Sequence, residues 1–236
     1  MNLSIIIPVF NEEKTILAIL KKVSLVNISG VEKEIIVVDD GSTDSSKLKV
    51  KSSKLGGIKT FFHQKNLGKG AAVRTGIKNA TGDYIIIQDA DLEYDPKYIP
   101  LLLKPVLEKK AEVVYGTRLK RLPNFKRDER TPQILLHYLG NKLLSLLTSI
   151  LYGQWITDME TCYKLFPKNA VEKINLVSKG FEFESEITAK ILKRGIKIVE
   201  VSIVTNPRGY KEGKKLRTLR DGTLALLTLL KYRFID

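Results

Sequence analysis

The chain has 236 residues, 43% of them hydrophobic, which is enough for one α/β core, and its single cysteine, Cys162, excludes an internal disulfide. Only His63 and His137 accompany that cysteine, so no structural zinc set can form, and the net charge of +14 points to anionic partners. No basic stretch followed by an apolar one and a cleavage site opens the chain, so a cytoplasmic location is expected.

An apolar run over residues 3–9 predicts a strand, and residues 12–26 a helix with Ile16, Ile19, Leu20 and Val23 on one face. Strands follow at 34–38, 58–63 and 83–88, separated by helices at 43–55 and 69–80. That alternation predicts a mostly parallel sheet with helices on both faces. Further on, 98–110 reads as a helix and 112–115 as a strand running into Gly116-Thr117-Arg118. A basic loop comes next. Thr131-Pro132 then starts a helix to about residue 152, with Thr131 as cap and Pro132 in the first turn. Residues 162–166 and 197–204 read as strands, 184–194 as a helix, 207–215 as a mobile loop containing Gly209 and Gly213, and 216–234 as an amphipathic helix. No repeat or linker interrupts the chain, so a single domain over 1–236 is expected.

Ligands of such sheets bind where strands end, and Asn11, Asp39-Asp40, Gln64-Lys65-Asn66 and Asp89-Asp91 all fall at carboxyl ends. In an extended segment residues i and i+2 point the same way, so Asp89 and Asp91 can face one point. Two close carboxylates call for a cation, and oxygen-only ligation suits Mg²⁺ or Mn²⁺. Asp39 and Asp40 precede Ser42 and Thr43, either of which can cap the next helix, while one of the two carboxylates can accept N–H groups of a nucleobase. Asn66-Leu67-Gly68-Lys69-Gly70 is a glycine-rich helix start suited to an approaching anion. It is neither a phosphate-binding Walker loop nor a dinucleotide fingerprint, which removes the main support for ATPase and NAD-enzyme readings. Asp158 and Glu160 precede a strand, and Asp158 can orient a substrate or act as a base. For Glu182 and Glu184, capping and first-turn charge explain much.

Arg118–Arg130 carries six Lys/Arg against two acids, and Arg208–Arg220 six against Glu212 alone, a density that attracts phosphates or anionic lipid. No aromatic-interleaved basic motif accompanies them, so nucleic acid is not expected as a partner. Residues 134–152 are apolar but interrupted by His137, Asn141 and Lys142, which leaves about ten clean residues where a span needs about 20, and no crossing is expected.

Taken in order, Ile7-Pro8-Val9-Phe10-Asn11-Glu12, Val38-Asp39-Asp40-Gly41-Ser42-Thr43-Asp44, Asn66-Leu67-Gly68-Lys69-Gly70, Asp89-Ala90-Asp91, Gly116-Thr117-Arg118 and the loop from Arg208 to Lys214 resemble the family 2 glycosyltransferases. The likeness is strongest to the dolichyl-phosphate mannosyltransferase and polyprenyl-phosphate glycosyltransferase branch, whose prokaryotic members also resemble the run from Thr157 to Lys164. The resemblance implies a nucleotide-diphospho-sugar transferase fold of GT-A type, with residues 1–118 as the nucleotide-sugar half and 119–236 as the acceptor side with amphipathic helices. Pro8, Phe10, Glu12, Val38 and Asp40 would hold the nucleoside, Asp39, Lys69 and Ala90 would line the substrate site, and Asp89, Asp91 and Glu93 would take the metal. Arg118, Arg208 and Lys214 would contact phosphates, and Asp91, Arg118 and Asp158 form the catalytic set. Glu93 departs from the neutral Gln or Ser, and Phe10 from the Tyr, that many members carry.

The implied reaction is inverting transfer of a hexose from a nucleoside-diphosphate sugar, of GDP-mannose or UDP-glucose type, to a polyprenyl phosphate. An acceptor hydroxyl in place of the phosphate would instead need a base, with Asp158 or Glu160 as candidates. A polyprenyl acceptor places the enzyme peripherally on an anionic membrane surface at the cytoplasmic face. The apolar helices otherwise pack on the sheet or form a homo-oligomer contact. A non-catalytic basic membrane module is the reading from another class, and it leaves the strand-end acids unexplained.

Overall fold

A computed structural model describes residues 1–53, 55–120, 132–208, 213, 215 and 217–235. One seven-stranded sheet runs in the order β3-β2-β1-β4-β6-β5-β7. Its members are β1 (Asn2–Val9), β2 (Glu32–Asp39), β3 (Ile58–Phe62), β4 (Tyr84–Ile87), β5 (Val113–Thr117), β6 (Lys164–Pro167) and β7 (Ile198–Ser202). The pairs β1–β2, β1–β4, β2–β3 and β5–β7 are parallel, whereas β6 lies antiparallel between β4 and β5. The expected mostly parallel, mixed sheet is therefore present. Ile5, Ile6 and Ile7 of β1 and Ile85, Ile86 and Ile87 of β4 are fully buried, as continuous apolar strands must be when helices cover both faces.

The helices are α1 (Ile16–Leu25), α2 (Ser46–Ser52), α3 (Lys69–Asn79), α4 (Ile99–Leu107), α5 (Pro132–Tyr152), α6 (Lys168–Glu172), α7 (Phe183–Lys193) and α8 (Thr218–Phe234). Several ends fall short of expectation. Helix α1 starts at Ile16 because Asn11 takes a left-handed φ of 51° and Glu12 opens a turn first. Neither Ser42 nor Thr43 caps α2: the Ser42 hydroxyl accepts the Asn11 N–H at 3.0 Å, and the Thr43 N–H goes to Asn11 Oδ1 at 2.8 Å. Those bonds tie the loop after β2 to the end of β1. A 3₁₀ turn at Pro96–Tyr98 precedes α4, and the short α6 was not expected. The Thr131 cap, the basic loop over 121–131 and most of the loop over 209–216 lie outside the described residues.

Helix α5 is built inside out. Its polar residues Asn141, Ser145, Thr148 and Ser149 are buried, the first two and Ser149 bonded to Asp158, Met159 and Ile156 and Thr148 to the Leu144 carbonyl of its own helix, whereas Leu136, Leu139, Leu143, Leu146 and Ile150 are exposed. Spacings of three and four put those five on one face of the helix. By length and composition alone Ile134–Tyr152 would suffice to span a bilayer, with mean hydropathy 1.4, yet a third of it is buried in the fold.

At the opposite ends of the strands, Glu34 accepts from the Ser4 hydroxyl, from Lys59 Nζ at 2.6 Å and from the amides of Thr81 and Gly82. Burial pushes the Glu34 carboxyl up, but these donors outweigh it and hold the group at about 2 against an ordinary 4.5. A depressed folded value stabilises above the unfolded one, so this contribution is complete above pH about 4.5 and fades as pH falls toward 2. Glu34→Gln is expected to cost about 1–3 kcal/mol at pH 7 in urea unfolding, with the difference from wild type shrinking on acidification. An equal difference at pH 7 and pH 3 would sink this assignment.

Candidate active site

The carboxyl ends of β1, β2, β4 and β5 meet the start of α7 around a cavity of about 370 Å³, within the range of small-molecule sites. Pro8, Phe10, Glu12, Asp40, Lys69, Asp89, Ala90, Asp91, Glu93, Arg118 and Arg208, all expected from the sequence, line it. Val38 and Asp39 do not: both are fully buried, and one Asp39 oxygen accepts the Ser42 N–H at 3.0 Å. Lys214 lies outside the described residues.

Asp89 and Asp91 reach the cavity differently from the strand alternation expected. Strand β4 ends at Ile87, and the two acids lie on the turn that follows, where Leu92 takes φ 64°. Lys69 Nζ sits 2.9 Å from Asp89 and 3.1 Å from Glu184. Burial raises the Asp89 carboxyl, but that ammonium more than offsets it and keeps Asp89 below its usual value. Asp91 has no such partner in proportion. Burial first, then the negative charges of Asp89 and Glu93, push it to about 7 against the pull of Arg208.

Arg208 fills the centre of this acid cluster. Its Nη1 and Nη2 donate to Glu12 at 3.1 and 3.0 Å, Nη2 also reaches Asp91 Oδ2 at 2.9 Å, and its backbone N–H meets Glu93 at 3.1 Å. Lys215, which the sequence reading did not single out, adds an ion pair to Glu12 at 2.6 Å and donates to the Phe10 carbonyl. Only its place in a basic run hinted at a role.

The residues present suit a divalent cation. The donor set is carboxylate oxygen alone, and Asp89 and Glu93 stand near enough to add, after burial, to the rise of the Asp91 carboxyl. Among the described residues no group of three His, Cys, Asp or Glu is placed to hold a metal ion by itself. One or two carboxylates completed by substrate phosphates is the usual arrangement for Mg²⁺.

The glycine-rich start of α3 does not present its amides to an anion. The N–H groups of Gly70 and Ala71 donate to the carbonyls of Gly180 and Lys179, at 3.2 and 3.1 Å. Glycine is required because that segment passes so close: a Cβ on Gly68, whose φ is +102°, would lie 2.3 Å from the Lys179 oxygen. Asp40 likewise turns inward, accepting the Leu67 and Gly68 N–H groups at 3.0 and 2.8 Å and standing 2.6 Å from His63 Nδ1. The Asp40 carboxylate thereby fixes the loop that carries Lys69.

On the far side, Asp158 is fully buried and accepts Arg118 Nε at 2.7 Å, Nη2 at 2.8 Å and the Arg118 N–H at 2.9 Å. Asn141 Nδ2 adds a fourth bond at 2.7 Å. Burial raises the carboxyl, Arg118 lowers it further, and the balance is below the ordinary value. A carboxylate so saturated holds Arg118 in place and is poorly suited to take a proton. Glu160 is the contrast: it lines the cavity, its Oε1 is buried without a partner, and burial lifts its carboxyl to about 7 despite Lys164. Glu184 sits 2.7 Å from the fully buried Lys164, an ion pair without hydrogen-bond alignment. Sequence inspection assigned Glu184 mainly to helix capping and missed Lys164.

The sequence profile described as "Glycosyl transferase family 2" matches residues 4–174 of this chain. The UDP-N-acetylglucosamine–dolichyl-phosphate N-acetylglucosaminyltransferase of Methanococcus voltae is 30% identical over 220 residues, covering 85% of this chain and 84% of that protein. An uncharacterised protein of Methanocaldococcus jannaschii is 33% identical over 206 residues, covering 85% and 80%. Among solved structures, glucosyl-3-phosphoglycerate synthase from Mycobacterium tuberculosis in complex with Mn²⁺, UDP and phosphoglyceric acid superposes with TM-score 0.75 at 20% identity, over 100% of this chain and 79% of that one. The same synthase with Mg²⁺ and UDP gives 0.75 at 19% identity, over 100% and 80%.

Proposed function

The chain belongs to glycosyltransferase family 2, with the GT-A type fold of that family, and from that premise we propose that it moves a sugar from a nucleoside diphosphate to a polyprenyl phosphate at a membrane surface. The observation that carries this reading is one cavity lined both by the acids that follow β4 and by Arg118, which Asp158 holds in place. Pro8, Phe10 and Asp40 flank the nucleoside end. Asp91 and Asp89, with substrate phosphates completing the shell, would hold Mg²⁺ or Mn²⁺, which supplies Lewis-acid neutralisation of charge on the departing diphosphate. Arg208 stands beside Asp91 and Glu93, and Lys215 beside Glu12, and both can transfer their hydrogen bonds to phosphate oxygens.

A phosphate monoester has a second pKa near 6, so at pH 7 the acceptor is mostly the dianion and needs no strong base. The saturated Asp158 accords with that. Arg118 spends Nε and Nη2 on Asp158, and Nη1 is not used by that pair, so it can receive an acceptor phosphate without losing its anchor. The polyprenyl phosphate is favoured by the dolichyl-phosphate named for the Methanococcus voltae relative and by the outward apolar face of α5.

Thermal shift against GDP-mannose, UDP-glucose and UDP-N-acetylglucosamine with Mn²⁺, followed by transfer assays to a polyprenyl phosphate and to a water-soluble hydroxyl acceptor, tests the reading. Stabilisation by none of them, or transfer to the hydroxyl alone, overturns it.

Membrane attachment follows from the same reading. Leu136, Leu139, Leu143, Leu146 and Ile150 of α5, with Leu227 and Phe234 of α8, offer apolar area, and the chain is strongly cationic. Each Lys or Arg near an anionic surface contributes about 1 kcal/mol, screened by salt. Binding to liposomes is expected to require anionic lipid, to weaken as salt rises, and to fall with Leu139→Glu and Leu143→Glu. Equal retention on neutral vesicles at high salt contradicts the electrostatic part.

A further inference from the structure

The order of strands in the sheet is also an order of ligand parts. Read from β2 through β1, β4 and β6 to β5, the cavity presents Asp40, then Pro8 and Phe10, then Asp89 and Asp91, then Glu160, then Arg118. If the nucleoside lies over β1 and the diphosphate at the acids after β4, the next position along the sheet belongs to the transferred sugar. Glu160 precedes β6 at that position. Its Oε1 is the one cavity-lining carboxylate oxygen among the described residues that is buried and has neither a hydrogen bond nor an ion pair.

We propose that Glu160 is a sugar-recognising residue, whose Oε1 hydrogen-bonds a hydroxyl or amide of the donor's sugar ring. This inference rests on the transferase reading above. A buried polar atom without a partner costs free energy, and a site retains one where a ligand supplies the missing bond. Burial, the largest effect, and the charges of Glu184 and Asp158 raise the carboxyl to about 7 against the pull of Lys164 and Arg118. A group that can both donate and accept suits a sugar hydroxyl and is repelled less by the diphosphate than a fixed anion. A phosphate is the poorer occupant, because the neighbouring Arg118 offers a far better partner for it. The backbone beneath it is held from behind: the Glu160 N–H donates to Asn141 Oδ1 at 3.4 Å, and Asn141 also binds Asp158.

Titration calorimetry with Mn²⁺ present would compare UDP, GDP, UDP-N-acetylglucosamine, UDP-glucose and GDP-mannose on wild type, Glu160→Ala and Glu160→Asp. Shortening by one methylene in the aspartate variant withdraws the carboxyl while keeping its chemistry, so it reports even if the alanine variant folds poorly. The expected result is unchanged affinity for the free diphosphate and about tenfold weaker binding of the matching nucleotide sugar, the loss of one good hydrogen bond. Equal weakening of diphosphate and nucleotide sugar, or no change in either, overturns the assignment. Unchanged affinity with lost turnover toward a hydroxyl acceptor would make Glu160 a base and also overturns it. Wild type binding none of the five defeats the transferase reading itself, and the inference with it.

Discussion

Asp91→Asn is expected to reduce glycosyl transfer by about 10³-fold or more while leaving thermal stability equal to or above that of wild type. The loss follows from removing the carboxylate best placed to hold a divalent cation against a leaving diphosphate, where electrostatic stabilisation contributes several kcal/mol to the barrier. The stability gain follows from the same crowding. Burial first, then the charges of Asp89 and Glu93, drive the Asp91 carboxyl up to about 7 despite Arg208, so ionising it in the fold costs free energy that asparagine avoids. The amide oxygen can still accept from Arg208, which now stands 2.9 Å from Asp91. Loss of function with gain of stability is the signature of a residue kept for chemistry rather than folding. Excess EDTA should reproduce the loss in wild type, and Mn²⁺ or Mg²⁺ should restore it. Full turnover in EDTA, or in the asparagine variant, would remove the acids after β4 from the reaction.

Asp158→Ala is expected to do the reverse, and more severely. The four bonds that Asp158 accepts, three of them from Arg118, are made where the carboxylate has no solvent contact. Removing one partner of a buried pair leaves the other charge uncompensated, at a cost of about 3–5 kcal/mol. For a chain of this size each kcal/mol lowers the melting temperature by roughly 2–4 °C. A fall of about 6–20 °C is therefore anticipated, read by calorimetry or far-UV melting, with residual activity lowered because Arg118 loses its aim. Asp158→Asn separates the two roles assigned to this residue from its sequence. If Asp158 were a base, the asparagine variant would keep the wild-type melting temperature and lose turnover alone. If it holds Arg118, stability and phosphate affinity fall together.

Strand and helix positions were largely legible because the periodicity that marks them is local. Isoleucine runs over 3–9 and 83–88 can bury only as central strands, and the alternation with amphipathic stretches leaves a layered α/β sheet as the economical solution. The mixed direction was not legible from that periodicity: nothing local shows that β6 inserts antiparallel between β4 and β5, since those pairings join residues 49 to 83 positions apart. In the site, the acids at strand ends were legible because a carboxylate pair after an apolar strand has few structural uses. What those acids contact was not.

By itself the sequence determined the layered fold, the crevice at the strand ends and most of the polar residues that line it. The tertiary structure alone decided how their charges are spent. Asp40 and the glycines around Lys69 fix a loop beside the cavity, and Asp158 anchors Arg118. Glu12 collects Arg208 and Lys215 from some 200 residues away, while Glu160 keeps an oxygen unpartnered. The physical reason is one of range. Backbone periodicity is set by neighbours three or four residues apart, whereas a buried charge takes whatever partner the packed fold delivers within about 3 Å, and sequence separation has no bearing on that.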